Sequence, residues 1–179
     1  PAETADRLNR VLPPDMAVYD IRPVTDEAHS RFDALSRTYK YYLIDHKSPF
    51  LEAFACRYRG TLDFDRMNEA AEQLYRYTDF TSFSKLHTDV KTNNCRVTFA
   101  RWEREGEQQV FTITADRFLR NMVRAIVGTL LDVGRGKLTV EGFCRIIEQK
   151  DRCAAGTSVP GKALFLHDIT YPDNLFLPR

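Results

Sequence analysis

Residues 114–137, TADRFLRNMVRAIVGTLLDVGRGK, constrain the fold of this chain more than any other stretch. Placed on a helix, Phe118, Leu119, Met122, Val123, Ile126, Val127 and Leu130 cover roughly half of the circumference, so the spacing predicts a core helix. Arg117, Arg120 and Arg124 fall together on the other side within an arc of roughly 60°. Gly128, one turn beyond Arg124, clears space on that same face. Two readings stay open: a solvated charged face with a tolerated glycine, or an anion site. Asp116 is the natural N-cap, and Gly134 or Gly136 ends the helix at its C′ side.

A chain of 179 residues with 43% hydrophobic composition can form one good-sized globular domain, or one domain and part of another. A formal charge of +1 gives no global signature of a nucleic-acid binder, so such a role must come from local asymmetry. Residues 116–137 supply some: Arg117, Arg120, Arg124, Arg135 and Lys137 stand against Asp116 and Asp132. Cys56, Cys95, Cys144 and Cys153 lie far apart, without a C-x-x-C pair or zinc-ligand histidines, so no metal site is expected and free thiols suit a reducing cytoplasm. No apolar run approaches a membrane span, and nothing reads as a signal peptide. The opening PAETADRLNRVLPPD reads as the end of a helix running into a Pro-Pro loop, which leads us to expect a chain that begins inside a longer protein.

Around the central helix the pattern is mixed. A short helix over 1–12 stops at Pro13, and a brief strand follows over Met16–Val24. SRTYKYYLI, 36–44, is a strand with Arg37, Tyr39, Tyr41 and Leu43 on one face and Thr38, Lys40, Tyr42 and Ile44 on the other. Its tyrosines interleaved with Arg37 and Lys40 suit either stacking and phosphate contact with single-stranded nucleic acid or ordinary cross-strand packing. A helix runs from Asp63 to Arg76, and 78–94 is a long polar loop. Residues 95–102 and 109–115 pair as a hairpin across EREGEQ, a shorter helix covers 139–149, ALFLHDITY forms a last, central strand, and PDNLFLPR is an extension. The order predicts an α+β fold, with helices covering one face of a mainly antiparallel sheet.

Common catalytic templates are absent: no G-x-S-x-G, no Gly-rich phosphate loop, no H-E-x-x-H and no dinucleotide fingerprint. His29, His46, His87 and His167 are scattered. Asp33, between Arg31 and Arg37, reads either as a nucleophile or as a surface charge satisfied by its neighbours.

Four segments in order, HSRFDALSRTYKYYL (29–43), DFTSFSK (79–85), ADRFLRNMVRAIVGTLLDVGRGK (115–137) and KDRCAAGTSVPGKALFLHDITYP (150–172), resemble the C-terminal two-thirds of the tRNA pseudouridine synthase A family. LNRVLPPD, 8–15, is similar to the segment joining the family's two halves, so 1–28 is expected to end a first domain and 29–179 to form the C-terminal one. The resemblance implies isomerisation of uridine to pseudouridine at positions 38–40 of the tRNA anticodon arm, without metal or organic cofactor. It also implies a homodimer built from two similar α+β domains around a positively charged cleft. The family nucleophile is an aspartate in an R-T-D-x-G-V-H-A motif, and no R-T-D occurs in these 179 residues. The chain is therefore expected to be inactive alone.

Carried over by the resemblance, Tyr39 matches the first tyrosine of R-x-Y-x-Y, which lies against the target base and is a candidate for taking its C5 proton. Arg124 matches the arginine of F-L-x-x-M-V-R, which pairs with the catalytic aspartate; an arginine on a core helix needs an anion, and a carboxylate is well matched to it. Arg31, Arg37, Lys40, Lys91, Arg117 and Arg120 are candidate tRNA contacts. Two departures stand out: Ala163-Leu164-Phe165-Leu166 replaces G-L-Y-L, and Lys91-Thr92 stands where R-T is frequent. The alternative is a non-catalytic RNA-binding module using the same surface.

Overall fold

The computed structural model describes residues 2–85 and 92–178, which form two compact units, 36–170 and a smaller one made of 1–35 with 171–179. No helix among the described residues is long and apolar enough to cross a membrane.

The smaller unit begins with α1 (Ala2–Asn9). The strand expected over Met16–Val24 does not form, because these residues find no neighbouring strand to complete a ladder. The Asn9 side chain holds Val18 at both its backbone N–H and its carbonyl, each at 2.7 Å. Only Val24 makes an isolated bridge, to Phe176. The C-terminal extension returns to this segment, with Thr25 N–H on Leu175 O, Leu177 N–H on Pro23 O, and the Arg22 guanidinium 3.9 Å from the Phe176 ring centre.

The larger unit is the expected α+β layer. Strand β1 (Ser36–Ile44) and the two-residue β2 (Cys56–Arg57) pair in parallel. Helix α2 (Phe64–Glu72) follows, with the Asp63 carboxylate accepting from Arg66 N–H at its N-cap, and a 3₁₀ turn over Gln73–Arg76 replaces the rest of the expected helix. Strands β3 (Val97–Glu105) and β4 (Gln108–Ala115) form the hairpin, but the connection is only Gly106-Glu107 rather than EREGEQ. With Gly106 at φ +60°, the tight turn lets the charged residues on either side continue the ladder in solvent. Helices α3 (Met122–Gly134) and α4 (Val140–Gln149) then lead to β5 (Leu164–Thr170).

Strand β1, not the last strand, is central. Strand β4 pairs along one of its edges, while β2 and β5 share the other, β2 at the Leu43–Ile44 end and β5 from Ser36 to Tyr41. Among the described residues β5 pairs only with β1, and most of its side chains are exposed. The helices cover the sheet face carrying Tyr41, Leu43, Trp102, Phe111 and Ile113, which pack with Met67, Leu74, Met122, Ile126, Leu130 and Phe143. Each large apolar side chain buried there stabilises the fold by about 1.5–3 kcal/mol.

Helix α3 is buried along its whole length except at Arg124 and Asp132. It starts five residues later than an N-cap at Asp116 would place it, because Asp116 is occupied elsewhere. The Asp116 carboxylate accepts from Arg96 N–H and Arg117 N–H, and its carbonyl accepts from Arg37 Nη1. Asp116 therefore fixes the exit from β4. Asn121 stands at the N-cap instead, and Gly136, at φ +70°, follows the Arg135 C-cap. Arg117 and Arg120 consequently lie before the helix, so the three-arginine helical stripe does not exist.

Candidate active site

Loop 150–163 lies along α3 and is bonded to it at successive turns. Thr129 Oγ1 donates to Ala125 O and accepts from Gly156 N–H at 3.0 Å. The Cβ of any larger residue at Gly128 would fall 1.9 Å from Thr157 O, so the backbone of the loop occupies the space above this glycine. The space cleared at Gly128 is thus a packing contact: the helix has no side chain there because a carbonyl is already present. Further along, Ser158 Oγ accepts from Asn121 Nδ2 at 2.6 Å and from Arg152 Nη2 at 2.8 Å.

Arg124 is gripped by the next residue of the loop. Val159 N–H donates to Arg124 O at 3.2 Å, and Arg124 Nε donates to Val159 O at 2.6 Å. Gly161 leaves the side of the guanidinium open; an added Cβ would be 3.8 Å from Arg124 Cζ. Among the described residues the two terminal amino groups of Arg124 have no hydrogen-bond partner and no carboxylate within ion-pair distance. A half-buried guanidinium with one nitrogen committed and two free is a receptor for a carboxylate or phosphate.

Strand β1 approaches the same loop. Tyr41, fully buried, donates its hydroxyl to Pro160 O at 3.0 Å. Burial, reinforced by the neighbouring Cys56 thiol, pushes this hydroxyl far above its ordinary value while the charge of Arg124 pulls the other way, so Tyr41 remains a donor. Tyr39 is the preceding residue on that face of β1. It is half-buried, with its ring edge-on to Phe118 at 5.1 Å and 89°. On the β5 side the register slips between Thr38 and Tyr39, a bulge that leaves His167 unpaired beside Tyr39. Tyr39 therefore shares a helix-covered sheet face with Tyr41, whose hydroxyl reaches the loop that grips Arg124.

The remaining predicted contacts separate. Arg37 shares the Tyr39 face and holds Asp116 O at 2.6 Å. Arg117 Nη1 reaches Thr92 O, whereas Arg120 is exposed, its carbonyl accepting from Lys85 N–H. Lys40 lies on the opposite sheet face, ion-paired with Glu105 at 2.7 Å, and that carboxylate raises its pKa. Arg31 belongs to the smaller unit, where its guanidinium is 5.7 Å from the Phe32 ring. Lys91 falls outside the described residues. Asp33 accepts from His29 N–H at 2.7 Å in a local turn of the smaller unit. The departure at Ala163 is accommodated by full burial, and Phe165 packs edge-on against Tyr42 at 5.6 Å, on the face away from Tyr39. Among the described residues no cluster of His, Cys, Asp or Glu could hold a metal ion.

Sequence reasoning missed Asn121, Ser158, Val159 O and Tyr41 as parts of this site. A main-chain acceptor leaves no signature in residue type. The run GTSVPGK did carry a signal, since a proline and two glycines mark a loop held in one particular path.

A family model described as tRNA pseudouridine synthase matches residues 70–172. Three similar proteins are each named tRNA pseudouridine synthase A. The protein of Parabacteroides distasonis is 66% identical over 172 residues, 96% of this chain and 68% of its own length. That of Bacteroides thetaiotaomicron is 64% identical, covering 96% and 65% of the two chains. That of Porphyromonas gingivalis is 59% identical, covering 99% and 72%. The chain thus spans about two thirds of the length of these relatives.

Proposed function

The chain belongs to the tRNA pseudouridine synthase family, and on that premise we propose that it forms the half of a tRNA-uridine isomerase that supplies Arg124 and Tyr39 to the reaction. Pseudouridine carries its glycosidic bond on C5 in place of N1, so C5 must lose a proton and N1 must gain one. A nucleophilic carboxylate begins the exchange by bonding to C1′ as the C1′–N1 bond breaks, and C5 of the freed uracil then displaces it from C1′. Arg124 keeps that carboxylate ionised and oriented, and Tyr39 lies against the extruded base, where stacking offsets on the order of 1–3 kcal/mol of lost helix stacking and its oxygen takes the C5 proton as its own hydroxyl proton passes on towards N1.

The observation that carries this reading is the state of Arg124: half-buried on an otherwise buried helix, fixed through Nε, and without a carboxylate among the described residues. The missing anion is the aspartate of the family motif, which these 179 residues do not contain. Residues 1–28 form the join to the half carrying it, and 29–179 the C-terminal domain. Arg31, Arg37, Lys91, Arg117 and Arg120 contact tRNA phosphates, and Lys40 does so once released from Glu105. The substrate is the anticodon arm at positions 38–40, and the enzyme works as a cytoplasmic homodimer without metal or cofactor. In the synthase carrying this chain, Arg124→Ala abolishes turnover and spares tRNA affinity; equal loss of both identifies Arg124 as a phosphate contact instead.

A further inference from the structure

Asn121 has an unusual geometry for a helix N-cap. Its backbone is left-handed, at φ +69°, a conformation that asparagine tolerates better than most residues but that glycine adopts without strain. An N-cap asparagine ordinarily turns its side-chain oxygen to the first free N–H groups of the helix. Here no such bond forms. The amide instead donates to Ser158 Oγ, which also receives Arg152 Nη2, while Arg152 Nη1 reaches back to Gly156 O at 3.4 Å. The Ser158 hydroxyl is thereby held from two directions, immediately before the residue whose carbonyl fixes Arg124.

That carbonyl also determines how Arg124 can bind an anion. A guanidinium offers two bidentate edges, one made by Nε with a terminal nitrogen and one by the two terminal nitrogens. Val159 O occupies Nε at 2.6 Å, so the first edge is closed and the end-on edge remains. A shift of Val159 would reopen the first edge and rotate the guanidinium plane.

We propose that Asn121, Ser158 and Arg152 are positioning residues that hold Val159 O against Arg124 Nε, so that Arg124 meets the catalytic carboxylate end-on. The proposal rests on the assignment of Arg124 to that carboxylate. None of the three touches the reacting atoms. Their contribution is geometric, and a misplacement of about 1 Å at such a site costs roughly 100-fold in rate.

The test uses Asn121→Gly, Ser158→Ala, the double variant and Ser158→Thr in the synthase that supplies the aspartate, with kcat, KM for tRNA and melting temperature measured for each. Glycine satisfies the left-handed backbone, so Asn121→Gly removes the side-chain bond without straining the helix start. The network predicts that Asn121→Gly and Ser158→Ala each lower kcat by about 10- to 100-fold with KM within about twofold. The double variant is no worse than either single one, and Ser158→Thr recovers most of the loss. Unchanged kcat in Asn121→Gly, a loss confined to KM, additive losses, or losses that only follow the folded fraction overturn it. Arg124→Ala in the same assay separates the two claims. If it retains turnover, the reading of Arg124 fails; if it abolishes turnover while Asn121→Gly is fully active, only the positioning inference fails.

Discussion

Val159 is bonded to Arg124 through both of its main-chain polar groups, its N–H donating to the Arg124 carbonyl at 3.2 Å and its carbonyl accepting from Arg124 Nε at 2.6 Å. A loop residue and a helix residue 35 positions apart are thus fixed to each other before any ligand binds. This removes the rotamer freedom that a long arginine side chain otherwise loses on meeting its anion, about 2 kcal/mol.

Gly128→Ala sets two opposing effects against each other. Alanine is favoured over glycine inside a helix by about 1 kcal/mol. Its Cβ, however, would stand 1.9 Å from Thr157 O, and the obstruction is backbone rather than a flexible side chain. We expect the clash to win, with a net destabilisation of about 1–3 kcal/mol in urea unfolding. A stabilised variant would show that loop 156–159 yields easily, contrary to the rigid support described for Arg124.

Tyr39→Phe separates proton transfer from stacking. The ring and its edge-on contact with Phe118 at 5.1 Å are kept, and only the hydroxyl is lost. Turnover should fall by about 100-fold or more while tRNA affinity changes by less than about threefold. A fully active phenylalanine variant assigns Tyr39 to stacking alone.

Asp79 provides a pH-dependent test of the segment leading to Arg120. Its carboxylate accepts from Thr81 N–H at 3.1 Å and Thr81 Oγ1 at 2.6 Å and pairs with Lys150 at 3.0 Å. The Thr81 hydroxyl, followed by Lys150, holds its pKa below the ordinary value of 3.8. A depressed carboxylate contributes stability above its unfolded pKa and loses it as pH falls through the folded value. Asp79→Asn should therefore cost about 1 kcal/mol at pH 7, after allowance for solvent screening of the exposed Lys150, and progressively less as the pH falls below 3.8. A cost that does not fall with pH would show that the charge is not responsible.

The 179 residues alone should release no tritium from tRNA labelled at uridine C5, because they contain no R-T-D motif. Turnover by the isolated chain would place the nucleophile within it. Asp33, bonded to His29 N–H at 2.7 Å, is then the first carboxylate to replace.

Much of this architecture was legible from residue pattern. The alternation of SRTYKYYLI matches β1 residue for residue, and the apolar spacing of 122–134 matches α3, because each element buries a whole face and periodicity reports burial directly. The start of α3 was not legible: Asp116 has the chemistry of an N-cap but is drawn into bonds with its neighbour Arg117 and with Arg96 and Arg37, which come from distant positions. Strand β5 misled because an apolar, β-branched run suggests a buried strand, whereas here it pairs with a single neighbour. At the site, Arg124 could be singled out by motif, but its acceptor is a main-chain carbonyl that any residue at 159 would supply. Gly128 showed the converse limit, since a gap in sequence does not reveal what fills it.

That Arg124 holds a catalytic carboxylate rather than an RNA phosphate is our proposal. Its most direct test is tritium release from C5-labelled tRNA by the synthase carrying Arg124→Ala, measured beside tRNA affinity at two salt concentrations. The expected result is abolished release, tRNA affinity within about threefold of the unchanged protein, and an unaltered dependence of affinity on salt, since no phosphate contact has been removed. Release in step with a weakened affinity, together with a salt dependence reduced by about one counterion, would contradict it.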